Sequence, residues 1–127
     1  MTVRVLIVDD DDDIRTIAAL ALRTVGKMTV SMARSASDAI EMLQVQQPDL
    51  LLLDVMMPGM DGASLFESLQ QQPHLAHIPV VFMTARVHGG EIERYLAMGA
   101  AGFVAKPFDP MTLAERLRSI LRSVPPR

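Results

Sequence analysis

The sequence predicts an α/β domain, a doubly wound five-stranded parallel sheet with helices on both faces. Five short apolar runs alternate along the chain with five longer segments in which apolar residues recur every three or four positions, which is the pattern of strands alternating with helices. The four leucines at residues 50–53 are typical of a strand that is buried on both faces of a parallel sheet. Parallel strands are joined by right-handed crossovers, so the intervening helices cover both faces.

The five predicted strands are short and strongly apolar. They cover residues 3–8, 28–32, 50–53, 80–83 and 102–105. Leucine is only a moderate strand former, so the third strand is predicted from its length and context rather than from propensity.

The first two helices follow the first two strands. Gly26 ends the first helix, and the second begins after Ser35 or Ser37 and stops before Pro48. Six apolar residues of the first helix recur at helical spacing and are predicted to face the core: Ile14, Ile17, Ala18, Ala21, Leu22 and Val25.

The remaining helices are predicted at about residues 63–71, at about 90–98 and from Asp109 onward. The helix at 90–98 has the weakest apolar pattern of the five. The last one has Asp109 as its cap and Pro110 at its first helical position.

Length and composition predict one domain over residues 1–127, with no effector domain in this chain. The chain has no cysteine, which excludes disulfides, thiolate zinc sites and thiol nucleophiles, and its hydrophobic content of 50% excludes a disordered polyelectrolyte. No apolar run approaches the roughly 20 residues that span a bilayer, and no signal peptide is recognisable, so we expect a cytoplasmic protein without membrane association. The net charge of −3 argues against direct nucleic-acid binding.

Polar side chains stand where the predicted strands end. The first strand is followed by Asp9 and Asp10, the third by Asp54, the fourth by Thr84, and the fifth by Lys106, one of only two lysines. Ligands of such sheets bind beyond the carboxyl ends of the strands, so these groups are expected to converge there.

The predicted cluster has the chemistry of a cation and phosphoryl site. Like-charged carboxylates repel unless a cation lies among them, and hard oxygen ligands without cysteine or histidine select Mg²⁺ or Mn²⁺. A lysine and a threonine hydroxyl suit the oxygens of a phosphoryl group, and one aspartate can then act as the nucleophile.

Each of these residues also has a purely structural interpretation. The acidic run at residues 11–13 can cap a helix and compensate its macrodipole, and so can Asp9 and Asp10, although the apolar strand before those two disfavours it. Thr84 can be an ordinary strand-end hydroxyl, Lys106 a solvated surface charge, and Asp54 a residue that solubilises a loop, although the apolar residues on both sides of Asp54 disfavour the last. The functional interpretation rests on the coincidence of all five residues.

The sequence resembles the receiver domain of two-component response regulators, related to the chemotaxis regulator. The matching segments, in the family's order and spacing over essentially the whole chain, are VLIVDD at 5–10, LDVMMPGMDG at 53–62, PVVFMTA at 79–85, Gly99-Ala100 and KPF at 106–108. The resemblance implies a flavodoxin-like sheet with strand order 2-1-3-4-5.

By position, the resemblance implies that Asp54 is the phosphoacceptor. It also implies that Asp10, Asp54 and the backbone carbonyl of Met56 bind Mg²⁺ directly, and that Asp9 acts mostly through water. Lys106 matches the family's lysine that pairs with the acceptor carboxylate or its phosphate, and the Lys106-Pro107 peptide bond is expected to be cis.

The resemblance further implies a switch. Thr84 matches the hydroxyl that turns toward the phosphate, beside the backbone of Ala85, and Phe103 matches the switch aromatic. The face formed by the fourth helix, fifth strand and fifth helix is expected to change. A sensor histidine kinase or phosphotransfer protein would donate the phosphoryl group, and a downstream protein or effector domain would receive the signal. The chain would assist its own phosphotransfer and dephosphorylation without being a turnover enzyme.

Two departures from the family pattern carry expectations of their own. Ala101-Gly102 stands where dimerising members commonly have an acidic pair, so that dimer is in doubt. Met56 and Arg86 each lie two residues beyond a site residue, at positions that, by the resemblance, influence the dephosphorylation rate because they lie over the path of the attacking water. Because an apolar methionine does not orient water, slow self-hydrolysis is expected. Five methionines are interpreted as gap-filling core residues: Met56, Met57, Met60, Met83 and Met98.

Two other functions are compatible with parts of the sequence. A haloacid-dehalogenase-type phosphatase would use Asp9 as its nucleophile, but it leaves the segment 54–62 unexplained and needs a further acidic pair after Lys106, where only Asp109 and Glu115 follow. A degenerate receiver that only mediates contacts would not need all five site residues.

Overall fold

The computed structural model describes residues 2–85 and 90–124 and contains one sheet with strand order β2-β1-β3-β4-β5. All four strand pairs are parallel. The strands are β1 (Arg4–Val8), β2 (Thr29–Ala33), β3 (Leu50–Asp54), β4 (Val80–Thr84) and β5 (Gly102–Ala105). The helices are α1 (Asp12–Thr24), α2 (Ala36–Val45), α3 (Gly62–Gln70), α4 (Glu91–Ala97) and α5 (Leu113–Ser123). The predicted fold class is therefore confirmed, with element ends shifted by one to three residues.

The sheet separates two hydrophobic layers because successive side chains of a strand point to opposite faces. Leu51 and Leu53 pack with α2, α3 and α4, whereas Leu50 and Leu52 pack with α1 and α5. All four leucines are fully buried. The apolar run therefore belongs to a central strand that is covered on both faces, as its sequence predicted.

Aromatic packing attaches two helices to β4. The ring of Phe82 meets Phe66 of α3 edge-on at 5.6 Å between centroids and Tyr95 of α4 at 4.7 Å. Such pairs add about 0.5–1.5 kcal/mol beyond the area they bury. These contacts give the short α4 an apolar anchor that its sequence pattern alone did not indicate.

Three local predictions are wrong. In α1, Ala18, Ala21 and Leu22 are buried, but Ile17 and Val25 are 45% and 42% exposed, because the face of α1 that packs on the sheet is narrower than the apolar stripe. The methionine interpretation fails for Met56 and Met60, which are 71% and 38% exposed in the β3–α3 loop, whereas Met57 and Met83 are buried.

The third error concerns the start of α5. The carboxylate of Asp109 accepts a hydrogen bond from the backbone N–H of Met111, two residues on, and its carbonyl accepts from Thr112 and Leu113. This is a side-chain-stabilised turn that competes with a helix cap. Pro110 therefore lies in a turn, and α5 begins at Leu113 with Thr112 as its N-cap residue.

The β3–α3 loop returns close to the end of β3. The carboxylate of Asp61 accepts from the backbone N–H of Ser64 at 2.8 Å and caps α3. A Cβ atom at Gly62 would lie 2.4 Å from the carbonyl oxygen of Asp54, so only glycine fits. The hydrogen bonds of this cap hold the pKa of Asp61 below its usual value. The start of α3 is thus fixed against the residue that ends β3.

Replacing Asp61 with alanine is expected to lower the free energy of unfolding by about 1 kcal/mol at pH 7, because α3 loses its cap. Since the folded state lowers the pKa of Asp61 from 3.8, the carboxylate stabilises the fold above that value and loses this effect as the pH falls through the lower folded value. Urea unfolding of both proteins between pH 7 and pH 2.5 measures the difference. A deficit that does not shrink in acid would contradict a charge-dependent cap.

Candidate functional site

Three aspartates meet at the carboxyl edge of the sheet, where β1 and β3 lie side by side. Asp9 follows β1 and is fully buried, Asp54 ends β3 and is 5% exposed, and Asp10 is exposed. Each offers a carboxylate oxygen, and the three oxygens lie within 4.8 Å of one another. The parallel register, with Val8 beside Leu53, brings these residues together.

Lys106 joins two of the three carboxylates. Its ammonium donates to Oδ2 of Asp9 at 2.9 Å and to Oδ1 of Asp54 at 3.0 Å. The lysine side chain is only 19% exposed. It follows β5, two strands away from β3, so the fold and not the local sequence brings these charges into contact.

Burial changes the acid–base properties of this pair of residues. Desolvation raises the pKa of Asp54 above its ordinary value of 3.8, and the nearby charge of Asp9 adds to this, while the hydrogen bonds from Lys106 and from the backbone of Met56 oppose it. Burial by itself would lower the pKa of Lys106, but its hydrogen bonds to Asp9 and Asp54 raise it above 10.5. The lysine is therefore a permanent cation beside a carboxylate that is costly to ionise without one.

Two further hydrogen bonds hold Asp9, one at its carboxylate and one at its carbonyl oxygen. Its Oδ1 accepts from the N–H of Asp11 at 2.9 Å, and its carbonyl oxygen accepts from Nη1 of Arg15 at 2.6 Å. Arg15 was not among the site residues that the sequence predicted. The available signal was the position of Arg15 in the first turn of the helix that follows the aspartate pair.

The remaining aspartates of the acidic run, residues 11–13, form the start of α1, which is the structural role that the sequence allowed for them. The carboxylate of Asp11 accepts from the backbone N–H groups of Asp13 and Ile14 and caps α1. Asp12 and Asp13 occupy the first turn, where negative charge favours the helix dipole. The run is thus divided between the carboxylate cluster and a helix start.

Thr84 lies next to this cluster at the end of β4. It is 4% exposed, and its carbonyl accepts from the backbone N–H of Lys106 at 2.8 Å, which ties β4 to the residue carrying the ammonium. Ala85 follows it and is exposed. The flanking position Arg86 lies outside the described residues.

Phe103 is half-buried on β5, away from the carboxylates. The guanidinium of Arg116 lies over its ring at 5.6 Å from the centroid, and Arg116 also donates to the Phe103 carbonyl at 3.3 Å. The ring borders a cleft of about 660 Å³ between β5 and α5 that Pro107 and Phe108 also line. The Lys106–Pro107 peptide bond is cis.

A family model for the response regulator receiver domain matches residues 5–118. The chain belongs to the response regulator receiver family. It is 40% identical over 123 residues to the response regulator PleD of Caulobacter vibrioides, covering 96% of this chain and 27% of that protein. It is 38% identical over 118 residues to the transcriptional regulatory protein CseB of Streptomyces coelicolor, covering 93% and 49%. The chain thus spans about a quarter to a half of these relatives.

The structure also resembles that of a solved receiver domain relative. A putative response regulator from Chloroflexus aurantiacus superposes with a TM-score of 0.87 at 34% identity, covering 96% of this chain and 99% of that one. The predicted family is therefore confirmed. Receiver domains are signalling modules that work with histidine kinases and output domains, and they typically bind Mg²⁺ in an acidic pocket. The three aspartates of this chain form a pocket of that kind, with hard oxygen donors that suit the ion.

Replacing Lys106 with methionine is expected to lower the unfolding free energy of the metal-free receiver domain by roughly 1–3 kcal/mol, since two buried carboxylates lose their counter-charge. Added Mg²⁺ is expected to stabilise this variant more than the parent, because the ion no longer competes with an ammonium. Urea unfolding with and without MgCl₂ measures both effects.

Lys27→Met is the matched control, because Lys27 is the other lysine and is exposed. It is expected to respond to Mg²⁺ as the parent does. An equal response of Lys106→Met and Lys27→Met would show that Lys106 does not border the cation site.

Proposed function

We propose that this receiver domain is a phosphorylation-controlled signalling switch in which Asp54 accepts a phosphoryl group from a phosphohistidine of a sensor histidine kinase or phosphotransfer protein. The observation that supports this most directly is the Lys106 ammonium, 3.0 Å from Oδ1 of Asp54 at the end of the central strand. A buried carboxylate with its own cation has the arrangement needed to receive negative charge.

Accessibility favours Asp54 over its neighbours as the acceptor. The Asp9 side chain has no exposed surface and both of its oxygens accept hydrogen bonds, from Asp11 and from Lys106. Asp54 keeps 7% of its side chain exposed. Asp10 is exposed but has no lysine beside it within the described part of the chain. Of the three aspartates, Asp54 is the one that combines some residual exposure with a neighbouring ammonium.

The transfer step follows from this arrangement. An oxygen of Asp54 forms a bond to phosphorus as the phosphorus–nitrogen bond of the phosphohistidine breaks, and the leaving imidazole takes up a proton. Lys106 remains beside the new acyl phosphate and offsets part of its charge. We propose that Asp10, Asp54 and the carbonyl of Met56 hold Mg²⁺, or Mn²⁺ in its place, with Asp9 acting mostly through water. When bound, the ion neutralises charge on the phosphoryl oxygens.

The proposed output runs through Thr84 and Phe103. Phosphorylation adds strong acceptor oxygens beside the end of β4, where the Thr84 hydroxyl and the backbone N–H of Ala85 are proposed to bind them. Inward rotation of Thr84 would leave room for the Phe103 ring, which is half-buried in the structure. Burying such a ring stabilises the conformation with Phe103 inward by on the order of 1.5–3 kcal/mol. This is enough to shift a nearly balanced equilibrium between the two conformations about ten- to a hundredfold. The surface that changes is formed by α4, β5 and α5.

We propose a single receiver domain over residues 1–127 that acts on a downstream protein or effector domain without contacting nucleic acid itself. No helix in the described ranges is long and apolar enough to cross a membrane. The chain would assist its own phosphotransfer and dephosphorylation and turn over no other substrate. The exposed side chain of Met56 supports slow self-hydrolysis.

Incubation with acetyl phosphate and Mg²⁺ is expected to add one phosphoryl group to the parent, detected by intact-mass analysis. Asp54→Asn is expected to abolish the added mass, and omission of Mg²⁺ to reduce it strongly. Asp9→Asn, run in parallel, tests the phosphatase alternative, in which Asp9 is the acceptor. Retention of the phosphoryl group in Asp54→Asn with its loss in Asp9→Asn would overturn the proposal.

Thr84→Ala is expected to accept phosphate on Asp54 and fail to transmit it. In amide NMR spectra with beryllofluoride, which stands in for the phosphoryl group, the parent is expected to show shifts across residues 90–105 that the variant lacks. Shifts of equal size in both proteins would contradict the coupling between Thr84 and Phe103.

A further inference from the structure

Arg15 is a nearly buried arginine beside the carboxylate cluster. Its side chain is 11% exposed, Nη1 donates to the carbonyl oxygen of Asp9 at 2.6 Å, and Nη2 donates to the carboxylate of Asp12. Arginine is rarely this buried unless its donors are used, and its planar fork holds two acceptors in a fixed relation. The side chain therefore links the end of β1 to the first turn of α1.

The bond from Arg15 acts on the peptide group between Asp9 and Asp10. The Asp9 N–H donates to the Ala33 carbonyl at 3.2 Å. The other hydrogen bonds to Asp9, from the Asp11 N–H and from the Lys106 ammonium, reach its carboxylate and not its carbonyl. Arg15 is thus the one side chain, among the residues the structure describes, that holds this peptide by its carbonyl oxygen.

Asp10 depends on its backbone for its location. Its carboxylate is exposed and has no hydrogen-bond partner within residues 2–85 and 90–124, yet one of its oxygens lies within 4.8 Å of oxygens of Asp9 and Asp54. Asp9 and Asp54, by contrast, are both held by Lys106. A rotation of the Asp9–Asp10 peptide would move the Asp10 carboxylate, since no hydrogen bond from a described residue retains it.

We propose that Arg15 is a positioning residue for the cation site, because its bond to the Asp9 carbonyl orients the peptide that places the Asp10 carboxylate. This inference rests on the proposed function, since it takes Asp10 as a ligand of Mg²⁺. Partners that orient metal ligands from outside typically change metal affinity by about 10–100-fold when they are removed.

The direction in which Mg²⁺ affinity changes when Arg15 is replaced distinguishes a positioning role from a purely electrostatic one. Arg15 is a cation close to the site, so electrostatics alone predicts that its removal strengthens Mg²⁺ binding. Loss of the Asp10 orientation predicts the opposite change. A purely structural role predicts lower stability with unchanged affinity.

The test is isothermal titration of the metal-free proteins with MgCl₂. The dissociation constant is expected to rise about tenfold in Arg15→Ala, and to rise by a smaller factor in Arg15→Lys, which keeps the charge and most of the stem but loses the fork. A dissociation constant equal to or below that of the parent in Arg15→Ala would overturn the inference. An Mg²⁺ affinity equal to the parent's in Arg15→Lys would also overturn the inference. If Arg15→Ala does not fold, Arg15→Lys provides the test.

Arg23→Ala is the matched control. Arg23 lies in the last turn of the same helix, and its Nη2 donates to the Val30 carbonyl at 2.9 Å, so the variant loses the same kind of bond away from the site. It is expected to lose stability in urea and keep the parent's affinity for Mg²⁺. Equal weakening of Mg²⁺ binding in Arg23→Ala and Arg15→Ala would mean a general loss of stability and would overturn the inference.

The Asp10→Asn variant distinguishes a failure of the proposed cation site from a failure of the proposed role of Arg15. Failure of the parent to bind Mg²⁺, or unchanged binding in Asp10→Asn, would contradict the proposed cation site itself. Binding in the parent, its loss in Asp10→Asn and parent-like affinity in Arg15→Ala would contradict only the role of Arg15.

Discussion

The Lys106 ammonium between the carboxylates of Asp9 and Asp54 is the contact on which the arrangement of this receiver domain's site depends. Two carboxylates at the ends of adjacent strands repel each other, and both are almost completely excluded from water. The lysine compensates them at 2.9 and 3.0 Å. A permanent cation makes the acidic pocket compatible with a folded protein before any metal binds.

The same contact determines the charge balance of the site. Desolvation raises the pKa of Asp54, whereas the hydrogen bonds to Asp9 and Asp54 raise that of Lys106. Burial thus disfavours ionisation of the carboxylate, whereas its hydrogen bonds favour the charged ammonium. The backbone N–H of Lys106 also donates to the Thr84 carbonyl at 2.8 Å. The residue that balances the charge of the carboxylates is therefore tied to the end of β4.

The backbone around Asp54 is fixed from both sides. Gly62 approaches the Asp54 carbonyl so closely that a side chain does not fit, and Asp61 caps the helix that starts there. On the other side, Arg15 and the N–H of Asp11 hold Asp9. Rigid support of this kind contrasts with the exposed Met56 and Met60 in the loop between β3 and α3. The core of the site is thus held in place, while the loop at its rim is exposed.

Local sequence determined the strands, the family and the identity of the polar residues at the strand ends. Four consecutive leucines specify burial on both faces wherever they lie in the sheet, and strand-end positions follow from strand boundaries. Tertiary structure alone decided which apolar residues of α1 face the core, that Asp109 forms a turn instead of a cap, and that Arg15 reaches the Asp9 carbonyl. The physical reason is that each outcome is decided by competition among alternative partners, some of them only two to six residues away, and by the surfaces that pack against them. Periodicity records which side chains are apolar, whereas burial and hydrogen bonding are set by the surfaces that the fold places against them.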